Sequence, residues 1–242
     1  MKAIIQAGGK GTRVSELTGG VVPKSLSRII DKPLISYQLR SLFQCGITEV
    51  LITANHDWQI QLFKQSIAIG EFSQLAYTFN IHEWQHPYEI FLAEDVSDFI
   101  GESDIFWSYG DIVFLPELIE RMTSLSRQNG TSVGCKMLSR SPRWSLEGKY
   151  MNFTEDTRGL VTGYEYADTP NFTIHAPFLI NSRSLKIVRD AVKTNPRNIF
   201  IIQELTRSGQ LSIVEPELLV NTNTPEDLAK VKGIILRYFK QI

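Results

Sequence analysis

The chain has 242 residues, with 25 Lys plus Arg against 26 Asp plus Glu, a formal charge of −1, and 43% hydrophobic residues. That balance excludes a disordered or collagen-like chain and leaves no electrostatic footprint for duplex nucleic acid, while a local pocket for a phosphorylated small molecule stays open. The length suits one large α/β domain or two small ones.

Lys2 to Gln6 is a short apolar run ended by glycines and reads as a buried strand. Apolar residues at Leu34, Ile35, Leu39, Leu42 and Phe43 have helical spacing and predict a helix over Pro33 to Cys45. Glu49 to Thr53 reads as a strand, Trp58 to Ile69 as a helix and Leu75 to Ile81 as a strand. Glu89 to Ile100 is predicted as one helix through Ile90, Phe91, Ala93, Val96 and Ile100. Asp104 to Tyr109 follows as a strand that ends at Gly110 and Asp111. Strands separated by helices imply right-handed βαβ units and a mostly parallel sheet.

The second half turns to strands linked by turns: Thr131 to Leu138, Tyr150 to Thr154, Leu160 to Tyr166 and Thr173 to Ile180. Helices over Ser184 to Thr194 and Asn198 to Ser208 come next, then short strands Leu211 to Val214 and Leu218 to Val220. A helix from Pro225 to about Phe239 closes the chain; Thr224 can cap it, Pro225 suits its first turn, and Glu226 and Asp227 favour its positive end. Residues 131–218 read as an inserted half that completes a pocket.

The two cysteines, Cys45 and Cys135, sit beside apolar residues and read as small buried hydrophobes. Neither they nor His56, His82, His86 and His175 show metal-ligand spacing. The N-terminus turns polar after five residues and no apolar stretch approaches the ~20 residues that span a bilayer, so the expectation is a cytoplasmic protein without a membrane partner.

Three segments carry candidate chemistry. Ala7-Gly8-Gly9-Lys10-Gly11-Thr12-Arg13 follows the first strand directly, and its glycines let backbone N–H groups approach a phosphate as an anion nest. It matches neither the P-loop nor the dinucleotide fingerprint. Pro23-Lys24 offers a lysine that could join the same site; the plain alternative is a surface lysine. Tyr109-Gly110-Asp111 puts a carboxylate at the carboxyl end of a strand, where open α/β sheets bind ligands, and one carboxylate suits Mg²⁺ that keeps waters and substrate phosphates as its other ligands.

In order, QAGGKGTR, VPKSL, DKPLISYQL, CGITEVLI, the Gly110-Asp111 pair and Asn221-Thr222-Asn223-Thr224-Pro225-Glu226-Asp227 resemble the motifs of the sugar-1-phosphate nucleotidylyltransferases. The resemblance is specific at the N-terminus and looser in the middle. It implies a single nucleotidyltransferase domain over 1–242 of the nucleotide-diphospho-sugar transferase, GT-A-like fold: a single mixed, mostly parallel sheet flanked by helices, Rossmann-like in its N-terminal half. Residues 1–130 would be the nucleotide-binding half, 131–218 the acceptor-side half and 219–242 the closing segment. The implied reaction joins an NTP to a sugar 1-phosphate, giving an NDP-sugar and pyrophosphate for a polysaccharide or glycosylated product, with Mg²⁺ as cofactor. By the motif match, Ala7, Gly8, Gly9, Gly11, Thr12 and Gly110 would line the nucleotide, with His86 a further contact. Arg13 would hold the triphosphate tail, Lys24 would contact the reacting phosphates, and Asp111 and Asn221 would bind Mg²⁺. Tyr88 and Glu165 are the expected acceptor contacts. A homo-oligomer is compatible with the resemblance.

Three segments depart from the family pattern. The glycine-rich segment that contacts base and sugar is replaced by Glu83-Trp84-Gln85-His86-Pro87-Tyr88-Glu89-Ile90-Phe91-Leu92. The E-K-P lysine is replaced by Tyr166, for which Arg140 or Arg143 could compensate, and the usual N-A-G reads His175-Ala176-Pro177. Two alternatives follow from these changes: a cytidylyltransferase for a non-sugar phosphate such as phosphocholine, or a nucleotide-binding homologue without activity. Among the tryptophans, Trp107 reads as core and Trp84 and Trp144 as candidate stacking residues.

Overall fold

The computed structural model describes residues 1–8, 22–68, 72, 74–81, 84–137, 145–146, 149–222 and 224–239. The chain groups into two compact units, one of Met1, Trp84–Trp107 and Glu120–Pro216, the other of Lys2–Glu83, Ser108–Ile119 and Glu217–Ile242. The chain passes between these units more than once. The seven main strands run in the order β13–β8–β12–β6–β1–β4–β5 with β1 Lys2–Gln6, β4 Glu49–Ala54, β5 Ala76–Ile81, β6 Ile105–Tyr109, β8 Ser132–Met137, β12 Thr173–Ile180 and β13 Leu211–Val214. β12 is antiparallel to β6 and β8, while β1–β4, β4–β5 and β8–β13 are parallel, so the sheet is mixed and mostly parallel as the alternating pattern predicts.

In the unit of Lys2–Glu83, β1 and β4 are near-continuous apolar runs because both faces are covered, whereas the edge strand β5 is half-exposed. Helix α1, Leu34–Gln44, buries Leu34, Ile35, Leu39 and Leu42 as its periodicity requires, but Phe43 is left 37% exposed. α2 spans Asp57–Ala68. A hairpin of β2, Arg28–Ile29, and β3, Lys32–Pro33, precedes α1. β7, Ile112–Phe114, pairs antiparallel with β14, Leu219–Asn221. The closing helix α7, Pro225–Tyr238, starts with the cap read from sequence: Asp227 N donates to Thr224 Oγ1 and Thr224 N donates to Asp227 Oδ2. It lays Leu228, Val231, Ile235 and Phe239 against Ile29, Tyr37 and Val113. Tyr37 meets the Phe239 ring edge-on at 5.3 Å.

The other unit is built on an aromatic core. Trp107 is fully buried, 4.7 Å from the Tyr88 ring and 5.8 Å from Phe178. This core corrects the helix expected over Glu89 to Ile100. The segment is a 3₁₀ turn, Pro87–Leu92, and then helix α3, Glu94–Ile100, with Ala93 between them in an extended conformation. The tighter turn sends Tyr88, Ile90 and Phe91 inward together, and Glu89 locks its start by accepting from Gln85 N and His86 N at 2.9 and 3.0 Å. Helix α4, Pro116–Asn129, has no counterpart in the sequence reading. A three-stranded sheet of β9 Ser145–Leu146, β10 Lys149–Glu155 and β11 Val161–Ala167 completes the strands. Helices α5, Leu185–Thr194, and α6, Asn198–Arg207, complete this unit. No helix among the described residues is long and apolar enough to cross a membrane.

The cysteine expectation holds in part. Cys135 is buried and burial pushes its thiol far up, whereas Cys45 is half-exposed and donates to the Pro116 carbonyl at 3.4 Å. In β12, Pro177 falls where the register with β8 shifts between His175 and Phe178, a place where a missing N–H is tolerated. Beside it, burial pushes the His175 imidazole down to about 4. The unfolded chain therefore takes up a proton here between about pH 6.5 and 4 while the fold does not, and stability falls as the pH drops through that window. Urea denaturation at pH 7 and pH 5 is expected to differ by about 2 kcal/mol more for the parent than for His175→Gln.

Candidate functional site

The site grows from the carboxyl end of β1. Ala7 N bonds the Thr53 carbonyl at 2.8 Å, and Gly110 N bonds the Gln6 carbonyl at 2.8 Å, so the chain after β1 is held between two neighbours. Contact is close on both sides. A Cβ on Gly8 would stand 2.2 Å from Asn55 Oδ1 and 2.8 Å from Asn55 N, and one on Gly110 would stand 3.0 Å from Ala7 Cα, Ala7 Cβ and Ser25 Cβ. Glycine is therefore required by space at Gly8, and at Gly110 any side chain would press on its neighbours. Gly9, Lys10, Gly11, Thr12 and Arg13 lie outside the described residues.

Pro23 leads into a 3₁₀ turn, Lys24–Leu26, that turns Lys24 inward. Lys24 is not the surface lysine of the plain alternative: it is only 8% exposed. Its Nζ lies 2.8 Å from Asp111 Oδ2, in an ion pair whose side chains are 10% and 25% exposed. Two residues assigned separate tasks from sequence are thus bonded to each other. The C-terminal motif reaches the same place: Thr222 donates to the Asp111 carbonyl through N at 2.9 Å and Oγ1 at 3.0 Å. Asn221, exposed at the end of β14, pairs in register with Ile112, the residue after Asp111.

No group of three or more His, Cys, Asp and Glu among the described residues could hold a metal ion. The donor set of Asp111 carboxylate and Asn221 amide is nevertheless hard oxygen chemistry, and it fits a Mg²⁺ whose remaining ligands are water and substrate phosphate. A second observation agrees with a ligand here: Ser25 Oγ is buried at the meeting point with Gly110 and has no hydrogen-bond partner among the described residues.

Sequence reasoning missed Gln38. This fully buried side chain donates from Nε2 to the carbonyls of Tyr109 at 2.9 Å and Ile112 at 2.5 Å, on either side of Gly110-Asp111. The available signal was a glutamine, with Ser41 one turn on, among the apolar residues that the helical period turns inward.

The remaining candidates belong to the other unit. Tyr88 is corrected: it is 1% exposed with its ring in the aromatic core, so it offers no surface to an acceptor. His86 is half-buried at the start of the 3₁₀ turn. Glu165 is exposed on β11 opposite Asn152, and the neighbouring Tyr166 accepts a 2.7 Å bond from Gln203 on α6. Trp84 is half-buried, while His82, Glu83, Arg140, Arg143 and Trp144 lie outside the described residues.

Comparison with known proteins adds the family. The profile of the MobA-like NTP transferase domain matches residues 3–219. A glucose-1-phosphate thymidylyltransferase of Neisseria meningitidis serogroup A is 26% identical over 225 residues, 88% of this chain and 74% of that protein. An N-acetylmuramate α-1-phosphate uridylyltransferase of N. meningitidis serogroup B is 40% identical over 81 residues, 34% of this chain and 32% of that protein. A solved structure from Bacillus anthracis is described as a candidate glucose-1-phosphate thymidylyltransferase in complex with a sucrose. It superposes with a TM-score of 0.76 at 17% identity, over 97% of this chain and 94% of that one, a likeness of fold alone.

Proposed function

We infer for this chain, which belongs to the family of MobA-like NTP transferase domains, the Mg²⁺-dependent transfer of a nucleotidyl group from an NTP to a sugar 1-phosphate, releasing pyrophosphate. The observation that carries this reading is the part-buried Lys24–Asp111 pair, seated against the close approach of Gly110 to Ala7 and Ser25. It joins a cation for phosphate oxygens and a carboxylate for a metal at one point. Relatives named as thymidylyl- and uridylyltransferases of sugar phosphates support the substrate class.

In this reading the sugar phosphate oxygen attacks the α-phosphorus in line, and the P–O bond to the departing pyrophosphate breaks. No covalent task falls to the protein, which positions the reactants and neutralises charge. Gly8, Gly9, Gly11 and Thr12 line the phosphates, while Ala7 and Gly110, whose N–H groups bond the Thr53 and Gln6 carbonyls, border the nucleotide. Arg13 holds the tail that leaves as pyrophosphate, and Lys24 stabilises charge on the reacting phosphate. Asp111 and Asn221 would hold Mg²⁺, which would supply further neutralisation of phosphate charge. His86 and Glu165 remain assigned to nucleotide and acceptor contact. The setting we propose is cytoplasmic nucleotide-sugar synthesis.

The test is a pyrophosphate-release screen that crosses ATP, GTP, CTP, UTP and dTTP with a panel of sugar 1-phosphates and small alcohol phosphates, with Mg²⁺ present. Turnover of one NTP with one sugar 1-phosphate is the expected result. Turnover with an alcohol phosphate alone would replace the acceptor class. Silence throughout, with no nucleotide binding by calorimetry, would overturn the reading.

A further inference from the structure

Helix α1 and the residue that caps its end carry three donors on one stripe, Gln38, Ser41 and Cys45, at i, i+3 and i+7. All three reach main-chain carbonyls of one segment. Gln38 Nε2 bonds Tyr109 and Ile112, Ser41 Oγ bonds Phe114 at 2.9 Å, and Cys45 Sγ bonds Pro116 at 3.4 Å. β7 lies inside this segment and its ladder partner is β14. The helix thus lines the segment with side-chain donors.

The three donors are not equivalent. Ser41 and Cys45 hold the segment beyond the site. Gln38 alone bridges Gly110-Asp111, with one hydrogen bond on each side of the turn that presents the carboxylate. Its own Oε1 is buried without a partner among the described residues, a cost the fold carries in order to keep both N–H groups on those two carbonyls. The opposite amide orientation would set Oε1 against both carbonyl oxygens, so the hydrogen-bond network fixes the assignment.

We propose that Gln38 is a positioning residue for the metal carboxylate: its carboxamide holds the Gly110-Asp111 turn so that Asp111 faces the incoming cation at the correct angle. This rests on the nucleotidyltransferase reading of the same site. Side chains that orient a metal ligand from behind are worth about 10- to 100-fold in metal affinity or activity.

The experiment compares Gln38→Met with Ser41→Ala, which removes a donor from the same stripe away from the turn. The probe is Mn²⁺ alone, titrated by electron paramagnetic resonance into the full chain without nucleotide, with unfolding monitored so that only folded protein is compared. Gln38→Met is expected to weaken Mn²⁺ binding about tenfold or more, with Ser41→Ala binding like the parent. In turnover assays Gln38→Met lowers kcat and raises the Mg²⁺ needed for half-activation, with KM for the NTP little changed. Mn²⁺ binding by Gln38→Met equal to the parent's overturns the proposal, as does equal weakening by Ser41→Ala. Asp111→Asn separates the two failures: if it too binds Mn²⁺ like the parent, the metal assignment of Asp111 falls and the positioning role falls with it.

Discussion

Replacing Lys24 with Ala is expected to cut nucleotidyl transfer by about two to three orders of magnitude and to cost the fold about 1–3 kcal/mol. The first effect follows from the role assigned to the ammonium, since an electrostatic group aimed at a transferring phosphate acts only in the transition state and no neutral side chain replaces it. The second effect follows from the ion pair. Lys24 is 8% exposed and its partner Asp111 sits 2.8 Å away, so truncation leaves a largely buried carboxylate without its counter-charge. The two effects separate in a double-mutant cycle. Lys24→Met with Asp111→Asn removes both charges and is expected to recover most of the stability while remaining inactive. Denaturant midpoints and pyrophosphate-release rates of the two single variants and the double variant check this. A Lys24→Ala protein as stable and as active as the parent would contradict both parts.

Gly110→Ala is expected to destabilise by about 1–3 kcal/mol and to slow turnover about tenfold to a hundredfold. The added Cβ would lie 3.0 Å from Ala7 Cα, Ala7 Cβ and Ser25 Cβ. None of these atoms is the tip of a flexible side chain, so relief requires main chain to move. The segments that would have to give are the exit of β1 and the turn beside Lys24, both of which shape the site. The backbone at Gly110 is not in the left-handed region, so the cost is steric and an alanine elsewhere in the turn does not reproduce it. Thermal unfolding and steady-state kinetics of Gly110→Ala measure the two effects.

Local patterns carried much of this protein. Continuous apolar runs mark β1 and β4, a 3.6-residue period marks α1, and Thr224-Pro225-Glu226-Asp227 marks the start of α7, because each depends on neighbours within one turn or one strand. The order of QAGGKGTR, Pro23-Lys24, Gly110-Asp111 and Asn221-Thr222 likewise pointed to the family that the profile over residues 3–219 then matched. Other features depend on residues far apart in the chain. Lys24 finds Asp111 across 87 positions, so its burial is decided by how two turns meet and leaves no trace in the Pro-Lys dipeptide. Gln38 reaches across 71 and 74 positions to its two carbonyls. Tyr88 reads as a ligand-facing aromatic beside His86 until Trp107 and Phe178 enclose it, and the same enclosure breaks the helical period of Glu89 to Ile100 at Ala93. Hydrophobic period and capping are written in adjacent residues, whereas a buried charge pair or an aromatic core exists only once distant segments remove water from between them.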